Sequence, residues 1–432
     1  MRFAHFADIH LGYEQYNQPW RAEDITNAFR LAAKKAVEEK VDFVVISGDL
    51  FHRSYPTPKT IKDAIEILEI FKEQKIPVFA VEGNHDRSVR DMSAYHLLEK
   101  LGLLTILGLR KNKIERDNVL CQKIGDVYFV KGIYEGIEIV GESYKTRWRI
   151  DRIKPLLKPS TSESILVLHQ AVKEVIDIEL EIAYELTLND LPKARYYALG
   201  HVHLPKILEF DGSYVVYPGS IERYDAREAS IFVDYSESLV KREGCKKGFV
   251  VVDNFKPKFI EIKTRNLLNF VVNGENYSEV EKKTSELAKF AENEDLVVLK
   301  ILCREEIDVK KLTQLFSSVK HLELRFERLR EKKQEFKEIP AENQFFNEFE
   351  LKLLEILREE SEALRGSAIE IIKEHFGLGE FKSLKDFSEI EKSGAEKGSE
   401  KVEVEKEKKE TKKIDSVDGK KKPKTLLDFL GD

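Results

Sequence analysis

Short runs of apolar residues alternate with longer amphipathic stretches through the first half of the chain. The apolar runs have the length of strands and lie at residues 2–7, 43–46, 77–81, 164–168 and 196–199. The stretches between them, such as residues 21–40, place apolar side chains at helical spacing. Strands that alternate with helices predict βαβ units, and hence an α/β domain whose sheet is covered on both faces.

The pattern changes after residue 255 and divides the chain into five predicted segments. Short strand and helix patterns predict a small α/β module, which a charged linker and a pair of amphipathic helices follow. The tail is rich in Lys, Glu, Ser and Gly and buries too little apolar surface to fold. The segments are the α/β domain at 1–255, the small module at 256–330, the linker at 331–343, the helix-loop-helix pair at 344–380 and the disordered tail at 381–432.

The charge balance and the cysteines narrow the class of protein. Lys plus Arg number 72 against 78 Asp plus Glu, so the net charge of −6 gives no global attraction to nucleic acid, and any basic surface must be local. Cys121, Cys245 and Cys303 form no CxxC pair, which argues against a disulfide framework and a thiolate zinc site. With no leader pattern and no membrane-spanning apolar window, we expect a cytoplasmic protein.

Metal-binding side chains follow five of the apolar runs at the point where each run ends. Each one alone has a simpler explanation, because Gly, Asn and Asp are common in turns and a lone histidine is more often a core residue than a ligand. In α/β sheets, however, ligands gather outside the carboxyl ends of the strands, so five such ends predict one shared site. The candidate ligands are Asp8, His10, Asp49, Asn84, His169, His201 and His203.

The chemistry of these candidates indicates the metal and the reaction. Four imidazoles, two carboxylates and one amide oxygen, without sulfur, favour Mn²⁺, Fe²⁺ or Zn²⁺ over Ca²⁺ or Mg²⁺. Seven ligands are too many for one ion and suit two, and the Asp49 carboxylate is able to bridge them. Two ions about 3.5 to 4 Å apart can clamp the attacking and leaving oxygens at phosphorus, which predicts phosphoester hydrolysis.

The order of the strand-end motifs resembles a known family. DxH, GDxxH, GNHD, a strand-ending His and GHxH occur as in the calcineurin-like metallophosphoesterases. Within that superfamily, "FADIHLGYEQYN", "GDLFHRS", "EGNHDRS", "YALGHVH" and "VVYPGSIERYD" are similar to the archaeal Mre11–SbcD branch of DNA double-strand break repair nucleases. The resemblance implies a two-sheet sandwich flanked by helices, and a Mn²⁺-dependent nuclease that acts as a 3′–5′ exonuclease on duplex ends and as an endonuclease on single strands.

The resemblance also implies a role for each candidate residue. Two Mn²⁺ ions per chain are expected to share Asp49, the first held also by Asp8, His10 and His203, and the second by Asn84, His169 and His201. His85 is expected to be a catalytic histidine that binds no metal, and His52 to lie beside the substrate phosphate. Asp86 either orients the His85 imidazole or caps the N-terminus of a helix.

The segments beyond the first domain are expected to bind partners. The resemblance implies that the module at 256–330 is a DNA-capping domain and that the helical pair docks on a Rad50-type ABC ATPase. From the residues alone, the apolar side chains of the pair fit a small core equally, although some 30 residues bury little surface by themselves. These side chains are Phe345, Phe346, Phe349, Leu353, Leu357, Ile369, Ile372 and Phe376.

Two further contacts are predicted with less support from the residues. A homodimer is implied by the resemblance, through helices near Tyr95, Leu97, Leu98 and Leu101, whose side chains would equally fit the core of one chain. The C-terminal "PKTLLDFLGD" is similar to sliding-clamp-binding peptides, although Pro423 stands where that motif usually has Gln. Its anchors would be Leu426, Phe429 and Leu430, and the alternative is an apolar tail end without a partner.

Three functional classes therefore compete. The favoured class is a DNA-end nuclease that associates with the nucleoid and works with an ATPase. The second is a phosphatase or small phosphodiesterase on the same two-metal core, since core motifs do not specify the substrate. The third is a scaffold with a vestigial site, which the intact set of ligand positions argues against.

Overall fold

The computed structural model describes residues 1–87, 92–175 and 184–328. The predicted linker, the helical pair with its eight docking residues, the disordered tail and the peptide with Leu426, Phe429 and Leu430 all lie outside the described residues. Among the described residues, no helix has the length and apolar character needed to cross a membrane.

The described residues form a mixed α/β structure with more strand than helix. The helices are α1 (Pro19–Glu38), α2 (Pro58–Glu73), α3 (Ala94–Lys100), α4 (Arg147–Ile153), α5 (Tyr277–Ala288) and α6 (Val309–Leu315). The strands are β1 (Arg2–Phe6), β2 (Phe43–Ser47), β3 (Val78–Val81), β4 (Thr105–Ile106), β5 (Gly108–Arg110), β6 (Val119–Ile124), β7 (Val127–Tyr134), β8 (Ile137–Glu142), β9 (Ser164–His169), β10 (Tyr196–Gly200), β11 (Lys206–Phe210), β12 (Ser213–Tyr217), β13 (Ile231–Tyr235), β14 (Val240–Glu243), β15 (Gly248–Asp253), β16 (Lys256–Glu261), β17 (Leu267–Gly274), β18 (Leu296–Cys303) and β19 (His321–Arg328).

Two sheets make up the first part of the chain. The first has the order β16-β15-β1-β2-β3-β4, in which β1 to β4 run parallel. The second has the order β11-β12-β10-β9-β8-β7-β5, with β6 on β7, and its central strands β8, β9, β10 and β12 are parallel. The predicted α/β class is thereby confirmed, and all five strands predicted to carry ligands are central and parallel.

The core between the sheets explains why those strands read as continuous apolar runs. Alternate residues of each strand enter a shared layer, which includes Phe3, Val45, Phe79, Ile165 and Ala198. The opposite face of the first sheet packs under α1 and α2, where Ile25 and Phe29 are buried. Strands buried on both faces are mostly apolar, and apart from a few buried polar residues such as His5, the polar side chains occur where the strands end.

The third sheet differs from the predicted division of the chain at residue 256. Its order is β14-β13-β17-β18-β19, with α5 and α6 packed on it. Residues 256–261 pair instead with β15 of the first sheet, because Asn254 and Phe255 both have positive φ (47° and 65°) and fold the chain into a two-residue hairpin turn. The third sheet takes β13 and β14 from the segment that was assigned to the first domain.

The helix predicted at the dimer contact divides between core and surface. Tyr95 and Leu98 are fully buried within their own chain, and Tyr95 packs edge-on against Phe51. Leu97 and Leu101 are about two-fifths exposed, at 41% and 42%. The alternative of an intramolecular core therefore holds for two of the four side chains, and the other two face outward.

Candidate metal centre

Seven side chains at the carboxyl ends of the parallel strands converge on one small volume. The first sheet contributes four of them and the second sheet three, because the ends of β1, β2 and β3 face those of β9 and β10. All seven are the residues proposed from the sequence. Asp8 and His10 follow β1, Asp49 follows β2, Asn84 follows β3, His169 ends β9, and His201 and His203 follow β10.

Asp8, His10 and His203 form the first ligand group. The Nε2 atoms of His10 and His203 lie 3.2 Å apart, and Oδ1 of Asp8 lies 3.9 Å from Nε2 of His203. Asp8 and His10 are almost completely buried. Ring nitrogens and a carboxylate oxygen that point at one another at this spacing are arranged to surround a single ion.

Asn84, His169 and His201 form the second ligand group. Oδ1 of Asn84 lies 3.1 Å from Nε2 of His169 and 3.1 Å from Nδ1 of His201. Asp49 stands between the two groups, since its Oδ2 lies 3.2 Å from Nε2 of His169 and 3.7 Å from Nε2 of His10. One carboxylate therefore contacts both groups.

Four of the seven residues have a left-handed backbone conformation. Their φ angles are 51° for Asp8, 55° for His10, 53° for Asp49 and 89° for His201. This conformation costs a residue other than glycine on the order of 1 kcal/mol or more. Hydrogen bonds between the loops hold it, including His10 N–H to the Asp49 carbonyl at 2.9 Å. Backbone strain that is concentrated at the residues of one cluster indicates a functional site.

Gly83 has no room for a side chain. A β-carbon built at this position would lie 2.0 Å from Oδ1 of Asp49 and 2.5 Å from its backbone nitrogen. Only glycine at position 83 lets the loop after β3 approach Asp49 this closely. This approach brings Asn84 to the second ligand group.

The hydrogen bonding of His169 shows that the site suits a cation. Its Nδ1–H donates to the carbonyl oxygen of Ser47 at 2.7 Å, so in the neutral imidazole Nε2 carries a lone pair. That lone pair faces Oδ1 of Asn84, which is also an acceptor, and the carboxylate of Asp49. Acceptors that face one another are stabilised by a positive charge between them, and the mixed N/O set fits a divalent transition metal.

The protonation of the cluster indicates the same need for positive charge. Burial alone would lower the pKa of His169, but the carboxylates of Asp49 and Asp8 outweigh it and raise the pKa to about 10. Burial lowers the pKa of His10, and it lowers that of His201 to about 3, so these imidazoles are neutral and able to bind metal. The carboxylates thus draw a proton onto the one histidine that contacts both of them.

His85 lies beside the cluster and is held by two hydrogen bonds. Its backbone N–H donates to Oδ1 of Asp49 at 2.9 Å, and its Nδ1–H donates to the carbonyl oxygen of His52 at 2.9 Å. The rings of His52 and His85 stack with centroids 5.2 Å apart, and His10 lies edge-on to His85 at 4.9 Å. The three rings also offer nitrogens within 4.8 Å of one another, which is a further place where a metal can bind.

Asp86 does not have the first of the two roles considered from the sequence, the orientation of the His85 imidazole. Its carboxylate accepts backbone N–H groups from Gly83 (2.9 Å), Leu50 (3.3 Å) and Phe51 (2.8 Å), and the Nδ1 of His85 is already paired with a carbonyl. Burial and the neighbouring Asp49 raise the pKa of Asp86 to about 8. Asp86 therefore ties the loop after β2 to the loop after β3 and does not orient the imidazole, while residues 88–91, whose N–H groups a helix cap would hold, lie outside the described residues.

Sequence reasoning missed the carboxylate that orients His203. Oε1 of Glu228 lies 3.1 Å from Nδ1 of His203, and its Oε2 accepts from the hydroxyl of Ser220 at 2.7 Å. The ammonium of the fully buried Lys247 also contacts Oε2. Burial works against the charge of Glu228, but Lys247 and His203 hold its pKa well below the usual range. An acidic residue in a short turn gave no sign of this burial.

Two tyrosines that the sequence also did not single out cover the first ligand group. The ring of Tyr224 lies 4.6 Å from the rings of both His10 and His203, and it stacks on Tyr13 at 4.5 Å. Tyr13 in turn packs on His52 at 4.2 Å. Both tyrosines belong to motifs that carry the family resemblance, "HLGYEQ" and "IERYD", which was the available signal.

Comparison with known proteins gives a family for the first domain. Residues 1–205 match the model of the calcineurin-like phosphoesterase family. The matched range contains all seven converging side chains, of which His203 is the last, and also His52, His85 and Asp86.

Curated relatives extend the likeness to the whole chain. The DNA double-strand break repair protein Mre11 of Archaeoglobus fulgidus is 50% identical over 442 residues, which cover 100% of this chain and 99% of the relative. Mre11 of Methanocaldococcus jannaschii is 36% identical over 259 residues, or 59% of this chain and 62% of the relative. Mre11 of Saccharolobus solfataricus is 32% identical over 255 residues, or 55% and 61%.

Proposed function

Because the chain belongs to the Mre11 family and carries a calcineurin-like phosphoesterase domain, we propose that it is a metal-dependent nuclease that processes DNA ends in double-strand break repair. The observation that carries the proposal is the pair of ligand groups that share Asp49. A site with two such groups suits in-line displacement at phosphorus. The relatives' role in DNA repair supplies the substrate class.

The residues that would hold the metals follow from the two groups. The first ligand group with Asp49 would bind one ion, and the second ligand group with Asp49 would bind the other. Two ions bound there would polarise the phosphodiester and lower the pKa of a water nucleophile. The mixed imidazole and oxygen ligands without sulfur fit Mn²⁺, Fe²⁺ or Zn²⁺, and from the family resemblance we propose two Mn²⁺ ions per chain.

The surrounding side chains have separate tasks in the reaction. His85, fixed by Asp49 and the His52 carbonyl, keeps its Nε2 for proton transfer to the departing sugar oxygen. His52, whose ring stacks on that of His85, would contact the substrate phosphate. Tyr224 covers His10 and His203 and keeps water from that side of the cluster.

The activities and partners form the finer part of the proposal. We propose 3′–5′ exonuclease activity on duplex ends and endonuclease activity on single strands, in a cytoplasmic protein that associates with the nucleoid. The module that contains the third sheet would cap the DNA, and the residues at 344–380 would dock on a Rad50-type ABC ATPase. A homodimer with Leu97 and Leu101 at its contact fits their outward position. The sliding-clamp peptide remains a prediction.

A cleavage assay with three substrates tests the proposal. The full chain is incubated with Mn²⁺ and, separately, with end-labelled duplex DNA, a single-stranded oligonucleotide and a chromogenic phosphomonoester, with a chelator as the control. Cleavage of both DNA substrates, abolished by the chelator, is the expected result. Turnover of the phosphomonoester without cleavage of DNA would make the protein a phosphatase, and turnover of none of the three would make it a scaffold.

A further inference from the structure

The local basic surface that an acidic chain needs for DNA binding lies around α4. Residues 145–158 contain six basic residues and one acidic residue, whereas the whole chain has a net charge of −6. Lys145 and Lys154 are engaged in ion pairs with Glu142, Asp151 and Asp190. Arg147 and Arg149 therefore contribute much of the remaining positive charge of this surface.

An exposed tryptophan organises two of these arginines. The side chain of Trp148 is 53% exposed, which is unusual for so large an apolar ring. The guanidinium carbons of Arg149 and Arg152 lie 5.1 Å and 4.9 Å from its ring centroid. A guanidinium stacked on a ring is able to keep its N–H edge for hydrogen bonds to an anion, and Arg149 is the residue of this pair to which that role is assigned.

A second aromatic ring holds the next two cations. The guanidinium carbon of Arg147 lies 5.1 Å from the ring centroid of Tyr184, and the ammonium nitrogen of Lys173 lies 5.6 Å from the same centroid. Both cations are exposed. Cations interleaved with aromatic rings are typical of surfaces that bind nucleic acid. The α4 patch is defined by Arg147, Trp148, Arg149, Arg152 and Lys173.

The α4 patch adjoins the candidate metal centre. The ring of Tyr144 lies 5.6 Å from that of His201, and α4 begins three residues later, at Arg147. Three residues of extended chain span at most about 11 Å. Lys173 likewise follows the ligand His169 by four residues. A strand that crosses the α4 patch therefore needs only a few nucleotides to reach the second ligand group.

We propose that the α4 patch binds single-stranded DNA and leads it to the metal centre. The proposal rests on the proposed function, because it takes the substrate to be DNA. Arg147 and Arg149 pair with phosphates, and the indole of Trp148 stacks on an unpaired base. A helix of seven residues is only about 10 Å long, and it fits one or two nucleotides of a single strand. The bases of a duplex are stacked inside it and would not reach the indole.

Tryptophan fluorescence tests the contact directly, since the chain has two tryptophans, Trp20 and Trp148. The variant Trp20→Phe leaves Trp148 as the reporter in the otherwise full chain. A single-stranded oligonucleotide is added in the presence of a chelator, so that no cleavage occurs, while anisotropy of the labelled oligonucleotide follows binding. We expect quenching or a shift of the Trp148 emission that saturates together with the anisotropy.

Two sets of variants test the energetics. Trp148→Ala should weaken single-strand affinity by about 5- to 150-fold, the range for one stacked base. Arg147→Gln with Arg149→Gln should make the slope of log K against log salt shallower by about 1.4, at about 0.7 for each lost phosphate contact. Lys34→Gln with Lys40→Gln is the matched control, because both lysines are exposed, one in the last turns of α1 and the other between α1 and the start of β2, away from the strand ends that carry the ligands.

Each outcome has a distinct meaning. Unchanged Trp148 emission in a chain that binds the oligonucleotide, or equal effects from the control pair, would overturn the α4 patch and leave the proposed function intact. Equal weakening for a blunt duplex of the same length would overturn the assignment to a single strand. If the wild-type chain bound neither DNA, the proposed function would fail and this inference with it.

Discussion

The two ligand groups of the candidate metal centre share Asp49 but are fixed in different ways. In the first ligand group, a side chain holds His203, whose Nδ1 lies 3.1 Å from Oε1 of Glu228, which the buried Lys247 supports. In the second ligand group, the backbone holds His169, whose Nδ1–H donates to the carbonyl of Ser47 at 2.7 Å. One group thus depends on a buried ion pair and the other on the position of a strand.

This difference has consequences for electrostatics and for mutation. A carboxylate behind a histidine makes it a more basic ligand, while a carbonyl mainly sets its orientation. Burial alone would lower the pKa of His203, but the hydrogen bond to Glu228 raises it. The first ligand group can therefore be weakened through one side chain, whereas no side-chain substitution removes the carbonyl that holds His169.

The largest effect on metal binding and cleavage is expected at Asp49, the residue that both ligand groups share. Asp49→Ala should abolish binding of both ions at micromolar metal, because both groups lose the same carboxylate, and cleavage should fall by more than about 100-fold. Isothermal titration calorimetry with Mn²⁺ measures the number of ions bound. Asp49→Asn is the matched control, since it keeps one oxygen and should retain part of the affinity. Two ions and full activity in Asp49→Ala would show that the groups do not share this residue.

The next largest effect is expected on the cleavage rate alone, with metal binding by both ligand groups unchanged. His85→Ala should keep two ions and DNA binding while cleavage falls by about 10²- to 10⁴-fold, the usual contribution of a general acid or base. Only its backbone N–H contacts Asp49, and alanine keeps that group. Anomalous scattering or calorimetry counts the ions. Loss of an ion in this variant would show that His85 is a metal ligand, together with His10 and His52. Cleavage at the wild-type rate would show that His85 has no catalytic role and that its loop is only a turn.

The convergence of the seven side chains could be predicted because it depends on local sequence. Each lies at or just after the end of a buried, mostly apolar strand, and parallel strands of one sheet end at one edge. His169 is an example, because a histidine that is the last residue of a buried strand places its side chain at the edge of the sheet where the other ligands lie. The same reasoning gave the α/β class and five inner strands, β1, β2, β3, β9 and β10.

What could not be predicted depends on tertiary packing. Glu228 lies in a turn with other charged residues, and nothing in "DAREAS" shows that its carboxylate becomes buried beside Lys247. Asp86 likewise gains its three backbone donors only because the loops after β2 and β3 meet. The turn at Asn254 and Phe255 contains no glycine, so the hairpin that moves residues 256–261 into the first sheet had no clear signal.

A smaller effect should separate the two groups. Glu228→Gln should weaken the ion of the first ligand group by about 10- to 100-fold and leave the other ion unchanged, because an outer partner of one ligand is altered. Two-site calorimetric titration measures both affinities. Since the substitution also leaves the charge of Lys247 unpaired, Glu228→Gln with Lys247→Met is the control that removes both charges. Equal weakening of both ions would mean that the groups are not independently held.

The smallest effect on metal binding is expected from the residue that holds His169. Ser47→Ala removes the hydroxyl, which lies 2.7 Å from Nε2 of His5 and donates to the Ala198 carbonyl at 3.1 Å, but it keeps the carbonyl that His169 uses. His5 is fully buried, and burial lowers its pKa to about 3, so it stays neutral and loses a partner. We expect a loss of about 1 to 3 kcal/mol in the free energy of unfolding and unchanged affinity for both ions. Denaturant unfolding and calorimetry on the same variant measure the two quantities. Weaker binding of the second ion alone would show that the position of His169 depends on the packing of the Ser47 side chain. The contrast between His203, which a side chain holds, and His169, which the backbone holds, would then be wrong.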